Sequence, residues 1–313
     1  MKFEASIIIP TFNGANKLTT TLNSLQKQSE GNFEIIVVVD GSTDNTLEVL
    51  SSFGTKAQNF KIVIEQNGGR AYARNRGAEK ATGEILIFID DDIEIMNDNI
   101  QNHINFHKSH VDATLVGATR LNQVQVAADH FQLYRERSEQ KLGQRFNEKI
   151  TRVSFDNYIF TTSNMSVART LFVEMGMFDE RLRDSEDLDL SVRLLLSGKA
   201  IYFDPGLICF HNDFADIRQT IKRQFQYYES KIHLLELHPE YLPYLKNQFR
   251  WLRKNYRDII KGILFSNFLP WVSFFKTSFF KSLPQGFSDA AYSAMIYVNS
   301  ALKIKNRRHA FKF

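Results

Sequence analysis

Short, uninterrupted apolar runs alternate with segments of three- and four-residue apolar spacing through the first third of the chain. Ser6 to Pro10 and Glu34 to Val39 read as buried strands, and Lys61 to Glu65 and Glu84 to Ile89 as two more. Between them, Asn16 to Gln28 carries Leu18, Leu22 and Leu25 on one helical face, and Ala71 to Ala81 reads as another helix. A helix also starts near Thr46, where Ser42, Thr43, Asp44 and Asn45 all offer N-caps. Strands that are apolar on both faces and joined by helices predict an α/β fold with a mostly parallel central sheet flanked by helices. Such sheets bind ligands beyond the carboxyl ends of their strands.

The pattern weakens from Asn97 to about Ile150, which reads as irregular and partly helical. Order returns over Tyr158 to Arg169, followed by a turn at Phe178 to Leu182. Glu186 to Leu196 is a helix with a Leu188, Val192, Leu195 stripe and Gly198 just past its end. Ala200 to Phe203 is a short strand stopped by Asp204-Pro205, and Leu207 to Phe210 is another, ending at His211. Beyond Asp213 the chain turns mainly helical, and no internal repeat interrupts it.

With 313 residues the chain can bury a full core, and 43% hydrophobic with 24% charged residues is a folded composition. A net charge of only +4 gives no reason to expect nucleic acid as partner, although the last stretch is basic and aromatic. Cys209 is the sole cysteine, which excludes an internal disulfide or a cysteine metal cluster and suits a reducing cytoplasm. A strand begins almost at once, at Phe3, with no secretory signal pattern before it.

Candidate chemistry concentrates where strands end. Ile85 to Ile89 runs straight into Asp90-Asp91-Asp92, three carboxylates that repel one another and lose hydration beside a buried strand. A divalent cation such as Mg²⁺ or Mn²⁺, which takes one or two carboxylates plus substrate phosphates, relieves that repulsion; a solvated loop relieves it too. Asp40-Gly41-Ser42-Thr43-Asp44 closes the second strand, either to contact a nucleobase or ribose or as an ordinary strand-turn-helix junction. Arg70, Arg74 and Arg76 crowd a helix N-terminus, which a bound anion would favour and a solvated face would also permit. Glu186 and Asp187 start a helix, where acids are favoured anyway, yet either could serve as a general base. His211 could bind a metal or simply be hydrogen-bonded. Neither G-x-G-x-x-G nor G-x-x-x-x-G-K-[ST] follows the first strand, which excludes the usual dinucleotide and triphosphate loops.

Taken in order, these segments resemble family 2 glycosyltransferases, which adopt the GT-A fold. The matching pieces are Ser6 to Gly14, Val38 to Thr46, Ala73 to Gly77 and Phe88 to Asp92, then Ser163-Asn164-Met165, Gly176 to Glu180, Glu186 to Asp189 and the strand ending at His211. The resemblance implies inverting transfer of a sugar from a nucleotide-diphosphate donor, expected to be a UDP-sugar, to an acceptor hydroxyl in surface glycan or polysaccharide synthesis. It assigns Pro10, Thr11 and Asp40 to the base, Asp90 and Asp91 to the ribose, and Asp92 with His211 to Mn²⁺ or Mg²⁺, with Asn13 a further donor-binding residue. Asp187 matches the catalytic base; Arg70, Arg74, Asn164, Glu186 and, in a later helix, Arg223 are further donor-binding candidates. Two departures stand out. Thr162 replaces a glycine common two residues before Asn164, and no Gln-x-x-Arg-Trp motif of processive polymerases sits in its usual place. Arg223-Gln224-Phe225 lies near that place, while Asn247 to Trp251 looks similar but lies too far downstream, which favours non-processive transfer. A non-catalytic nucleotide-sugar or glycan adaptor on the same fold is the alternative, and a carboxylate at the base position argues against it.

The expected organisation is a catalytic domain over residues 1–230, with a nucleotide-binding part to about 95 and an acceptor-side part beyond. A helical, aromatic-rich extension over 231–313 follows. Ile263 to Phe280 holds Phe265, Phe268, Trp271, Phe274, Phe275, Phe279 and Phe280; only Lys276 interrupts it with charge, the run before that lysine is too short to span a bilayer, and Pro270 sits inside it. It suits an interfacial segment, with Lys303, Lys305, Arg307 and Arg308 drawn to anionic lipid on the inner face of the plasma membrane. It equally suits packing on the catalytic domain or a second subunit in a homo-oligomer; a lipid-linked saccharide acceptor would favour the membrane.

Overall fold

The computed structural model describes residues 3–28, 31–54, 59–143, 146, 149–246, 261, 264–265, 268–302 and 304. Asn247 to Trp251, Lys303, Lys305, Arg307, Arg308 and the Phe268 side chain, all named above, lie outside the described residues. The chain forms two compact units, residues 1–122 with 139–213, and residues 123–138 with 214–313.

The first unit is built on one mixed sheet. Strands β1 (Ala5–Thr11), β2 (Phe33–Asp40), β3 (Phe60–Glu65) and β4 (Ile85–Ile89) are mutually parallel, in spatial order β3-β2-β1-β4. Their helical connections α1 (Leu18–Gln26), α2 (Thr46–Gly54) and α3 (Arg70–Lys80) match the apolar periodicity. The sheet continues through β8 (Asn164–Ala168), antiparallel to both its neighbours, to β6 (Ala113–Leu121), then β9 (Ala200–His211) and β5 (Ile93–Ile95). β7 (Thr151–Arg152) pairs with β9. Since β6 and β9 run parallel, and β6 runs with β4, Thr11, Asp40, Asp90 and His211 all fall at one edge of the sheet. Asn164, at the start of the reversed strand, pairs with Ile89 at that same edge.

Two apolar layers sandwich the sheet. Ile8, Val38, Phe88, Met165, Phe172, Phe178 and Phe203 fill one, and Ile7, Ile9, Leu22, Val37, Ile87 and Ile104 fill the other. That alternation along β1 is why its apolar run had to be continuous.

Where the pattern faded, regular structure is nonetheless present. The stretch after Asn97 holds α4 (Asn99–Ser109), β6, α5 (Gln123–Ala128) and α6 (His130–Gly143). β6 reads Ala-Thr-Leu-Val-Gly-Ala-Thr-Arg-Leu, too mixed to signal a central strand, and its Gly117 exists for a packing reason given below. Asp204-Pro205 also does not end a strand. β9 is continuous, but its pairing with β6 jumps from Asp204 to Ile208, so the residues between bulge out and the ladder resumes to His211. α7 (Arg169–Glu174) and α8 (Glu186–Leu196) complete this unit.

In the second unit α9 (Ile217–Leu237) starts with a capping box, Asp216 and Gln219 satisfying each other's backbone amides, typically worth about 1 kcal/mol. Its core is aromatic: Phe131, Phe265, Phe275, Phe280 and Tyr292 are buried together, with Trp271 and Phe274 packed against them. These rings of the tail therefore pack within the protein, while Phe279, 6.4 Å from the Phe274 ring, stays mostly exposed. Arg137 clamps Asp289 through two hydrogen bonds of 3.1 and 2.5 Å. Among the described residues no helix is long and apolar enough to cross a membrane.

Candidate active site

The loops after β1 and β2 are zipped together. Asn13 donates its amide N–H to Ser42 Oγ at 3.0 Å, and its Oδ1 accepts from the Thr43 amide at 2.8 Å. Asn13 sits at φ +51°, a left-handed conformation asparagine tolerates. Asp40, buried at the end of β2, accepts the amides of Gly68 and Gly69 at 2.7 and 2.9 Å. Gly41 is required here by its φ of +71° and because a Cβ would lie 2.7 Å from the Asn67 nitrogen. Asp40 thus fixes the β3–α3 loop, and each oxygen retains a lone pair for a ligand donor. Pro10 is buried in β1 beside Val38, closer to scaffold than to surface.

The Asp90-Asp91-Asp92 triplet is divided among three jobs. Asp91 points inward: Thr11 Oγ1 donates to it at 2.7 Å, and Lys17 Nζ lies 3.9 Å away. Burial pushes its carboxyl up to about 6, against the pull of Lys17 and Thr11. Asp92 faces His211, with Nε2 to Oδ1 at 3.1 Å, across the first pair of the β5–β9 ladder. Burial would lower the His211 pKa, yet the hydrogen bond and charge of Asp92 raise it overall.

Asp90 belongs to a bridge. Arg74 is 2% exposed, and its guanidinium joins Asp90 Oδ1 at 2.7 Å to Glu186 Oε1 at 2.6 Å. Burial opposes the charge on both acids; Arg74, helped by Arg70, nevertheless holds Asp90 below its usual value, whereas for Glu186 burial, with the repulsion of Asp187 added, outweighs Arg74 and keeps it raised. Arg74 is therefore a positioning residue, a different role from the anion contact its helix position suggested. Arg70 remains exposed and pairs with Asp184 at 3.3 Å.

α3 also grips the loop that leads into α8. Asn75, adjacent to Arg74, donates to the Phe178 carbonyl and to Glu180 at 2.9 Å each and accepts the Phe178 amide at 3.1 Å. From the far side, Arg193 donates to the carbonyls of Met175 and Met177 while paired with Asp189. Asp187 follows this clamped loop in the first turn of α8, partly exposed, its Oδ1 accepting the Leu188 amide at 2.7 Å. Tyr158 lies close enough for Asp187 to raise its pKa, after burial, and hydrogen-bonds Ser191 at 2.7 Å.

Asn164 differs from expectation. It is 0% exposed, with Nδ2 donating to the Leu207 carbonyl at 3.0 Å and Oδ1 against His103 Nε2 at 2.9 Å. Its amide is committed to the sheet, so it positions β8 and the β9 bulge. Arg223 lies in α9, in the second unit. Sequence reasoning gave no role to Lys17, Asn75, Tyr158 or Arg193. Asn75 alone carried a signal, standing inside the same motif as Arg74.

Asp92 and His211 supply one carboxylate oxygen and one imidazole nitrogen, and among the described residues no group of three or more metal-ligating side chains forms. That donor set fits an Mg²⁺ or Mn²⁺ whose remaining positions go to phosphate oxygens and water.

Residues 6–171 match the model of glycosyl transferase family 2, more than half of the chain. The chain belongs to that family. It is 26% identical to the uncharacterized glycosyltransferase YfnE of Bacillus subtilis over 289 residues, covering 75% of this chain and 73% of YfnE. It is 31% identical over 210 residues to the poly(ribitol-phosphate) beta-N-acetylglucosaminyltransferase TarS of Staphylococcus aureus, covering 64% of this chain and 34% of TarS. The chain spans under half of two further uncharacterized glycosyltransferases, from Escherichia coli and Haemophilus influenzae. Among solved structures, the mannosyltransferase PcManGT of Pyrobaculum calidifontis, in complex with GDP-Man and Mn²⁺, superposes with a TM-score of 0.67 at 17% identity, over 99% of this chain and 89% of that one. TarS 1–349 with UDP-GlcNAc gives 0.56 at 18% identity, over 100% and 94%. At such identities the likeness is one of fold, the GT-A α/β architecture.

Proposed function

We propose that this glycosyltransferase moves a sugar from a nucleotide-diphosphate donor, with a UDP-sugar favoured, to an acceptor hydroxyl with inversion, in glycan or polysaccharide synthesis. The observation that carries this is the Arg74 bridge: one guanidinium holds Asp90, beside the metal-candidate Asp92, and Glu186, beside Asp187. Residues 112 positions apart in sequence are thereby tied into one charged cluster. A nucleotide-sugar complex of a protein with the same fold, TarS, and the GDP-Man and Mn²⁺ complex of PcManGT support the donor class and the metal.

In this proposal Asp40 and the Thr11–Asn13 turn receive the base, and Asp92 with His211 hold Mn²⁺ or Mg²⁺. When bound, the ion neutralises charge on the departing diphosphate. Asp187 accepts the proton of the acceptor hydroxyl as its oxygen bonds to the anomeric carbon. The bond from that carbon to the phosphate oxygen breaks, and the electron pair leaves with the nucleoside diphosphate. A single displacement inverts the centre and needs no covalent intermediate.

Titrating UDP, then GDP, by calorimetry with Mn²⁺ and with EDTA tests the metal bridge. Binding is expected to weaken on the order of tenfold or more in EDTA and in Asp92→Asn. Equal affinity with and without metal for both nucleotides would exclude the bridge.

A further inference from the structure

In the second unit, Phe265, Phe275, Phe280 and Tyr292 are buried, but Phe279 and Phe287 are 65% and 57% exposed. They flank a tight connection: Phe279 lies in the short helix Ser278–Ser282, and Phe287 lies in the first turn of the helix Gln285–Tyr297. Each is beside an anchored neighbour. Phe280 is fully buried against Phe274, Phe275 and Tyr292, and Ser288 is fully buried after Phe287. Successive helical positions diverge by about 100°, so burying Phe280 directs Phe279 outward.

The rest of this exposed segment is uncharged or cationic. Lys276, Thr277, Ser278, Lys281, Ser282, Pro284, Gln285 and Gly286 are exposed, and the nearest acid in sequence, Asp289, is held by Arg137 at 2.5 Å. Residues 261–313 contain eight Lys or Arg and one acid, a net +7 in a chain whose total is +4. Two exposed phenylalanines beside lysines on a strongly basic segment match the requirements of an anionic bilayer surface, where rings enter the acyl boundary and lysines stay at headgroup depth. A second copy of the chain fits less well, because this face would meet its own positive charge.

We propose that the surface bearing Phe279 and Phe287, with Lys276 and Lys281, docks the protein on an anionic phospholipid bilayer. None of these four residues is assigned to sugar transfer, so its failure and the failure of that proposal are separable. The test is co-sedimentation of the full chain with phosphatidylcholine vesicles, with and without phosphatidylglycerol. Wild type is expected to bind the anionic vesicles in preference. Phe279→Ser with Phe287→Ser should weaken that binding about tenfold or more, and Lys276→Gln with Lys281→Gln about fivefold per lysine, a difference that high salt removes. All four sites are exposed, so thermal unfolding and donor hydrolysis should stay at wild-type values. The proposal is overturned by absent or lipid-independent binding, or by undiminished binding of the phenylalanine variant. It is also overturned by a solution dimer that those substitutions dissociate.

Discussion

Arg74 is the residue on which the most depends. It neutralises two carboxylates that burial alone would discharge, and those carboxylates stand next to the candidate metal ligand and the candidate base. Replacing it leaves the buried Glu186 and the part-buried Asp90 without a counter-charge, and breaking a buried pair in this way typically costs about 3–5 kcal/mol. Arg74→Met should therefore lower the unfolding midpoint sharply, and Glu186→Gln added to it should restore part of the loss. A double-mutant cycle by urea denaturation reads this directly: coupling of about 1–3 kcal/mol is expected, while additive effects would deny the bridge. Arg74→Lys is not a conservative test, because one ammonium cannot reproduce the two-armed fork. The sequence flagged Arg74 as an anion contact because three arginines crowd a helix start. It could not reveal that the anions are the protein's own carboxylates, one of them 112 residues away.

At the scale of elements, the parallel half of the sheet was legible because each strand is apolar throughout and each connecting helix keeps its period. The antiparallel insertion was not. β6 mixes Thr, Gly and Arg with its apolar residues, and its glycine answers to a neighbour: a Cβ at Gly117 would collide with the Asn164 side chain and come within 2.5 Å of the Leu207 carbonyl oxygen. Gly117→Ala should then destabilise the fold by about 1–3 kcal/mol and disturb the β9 bulge leading to His211. Beneath the same edge, α4 packs against β8 through His103 and His107, which both contact Ser166 Oγ, at 2.8 and 2.9 Å. Burial lowers both imidazoles to about 4. Below pH 6.5 the unfolded chain takes up these protons first, so the stability these two histidines contribute falls on acidification from about 6.5 to about 4, opposed by Asp91 and Glu186, whose raised pKa values favour the fold as pH drops. From pH 7 to pH 5 the loss should reach about 2 kcal/mol per histidine. Denaturant melts of wild type and His103→Gln across that range check it: the stability of wild type relative to the variant should drop by about that amount from pH 7 to pH 5, and a pH-independent difference would contradict it.

For the molecule as a whole, local sequence pattern disclosed the α/β sheet and its helices, and the ordered motifs carried the resemblance to the GT-A glycosyltransferases of family 2. What it withheld were interactions between distant segments: the Asn75 and Arg193 clamps on the loop before α8, the burial of Asn164, and the packing of the tail aromatics among themselves. Each arises from tertiary contacts that no local periodicity encodes. Those contacts hold Asp187 in a partly exposed first turn, at the start of a helix tied through Arg74 to the aspartate triplet. The most direct measurement is Asp187→Asn, assayed for Mn²⁺-dependent donor turnover across a panel of nucleotide-sugars, with donor affinity measured in parallel. Turnover should fall by about 10²–10⁴ while affinity for the donor stays near wild type. Turnover at the wild-type rate in a folded Asp187→Asn protein would contradict the assignment of Asp187 as base.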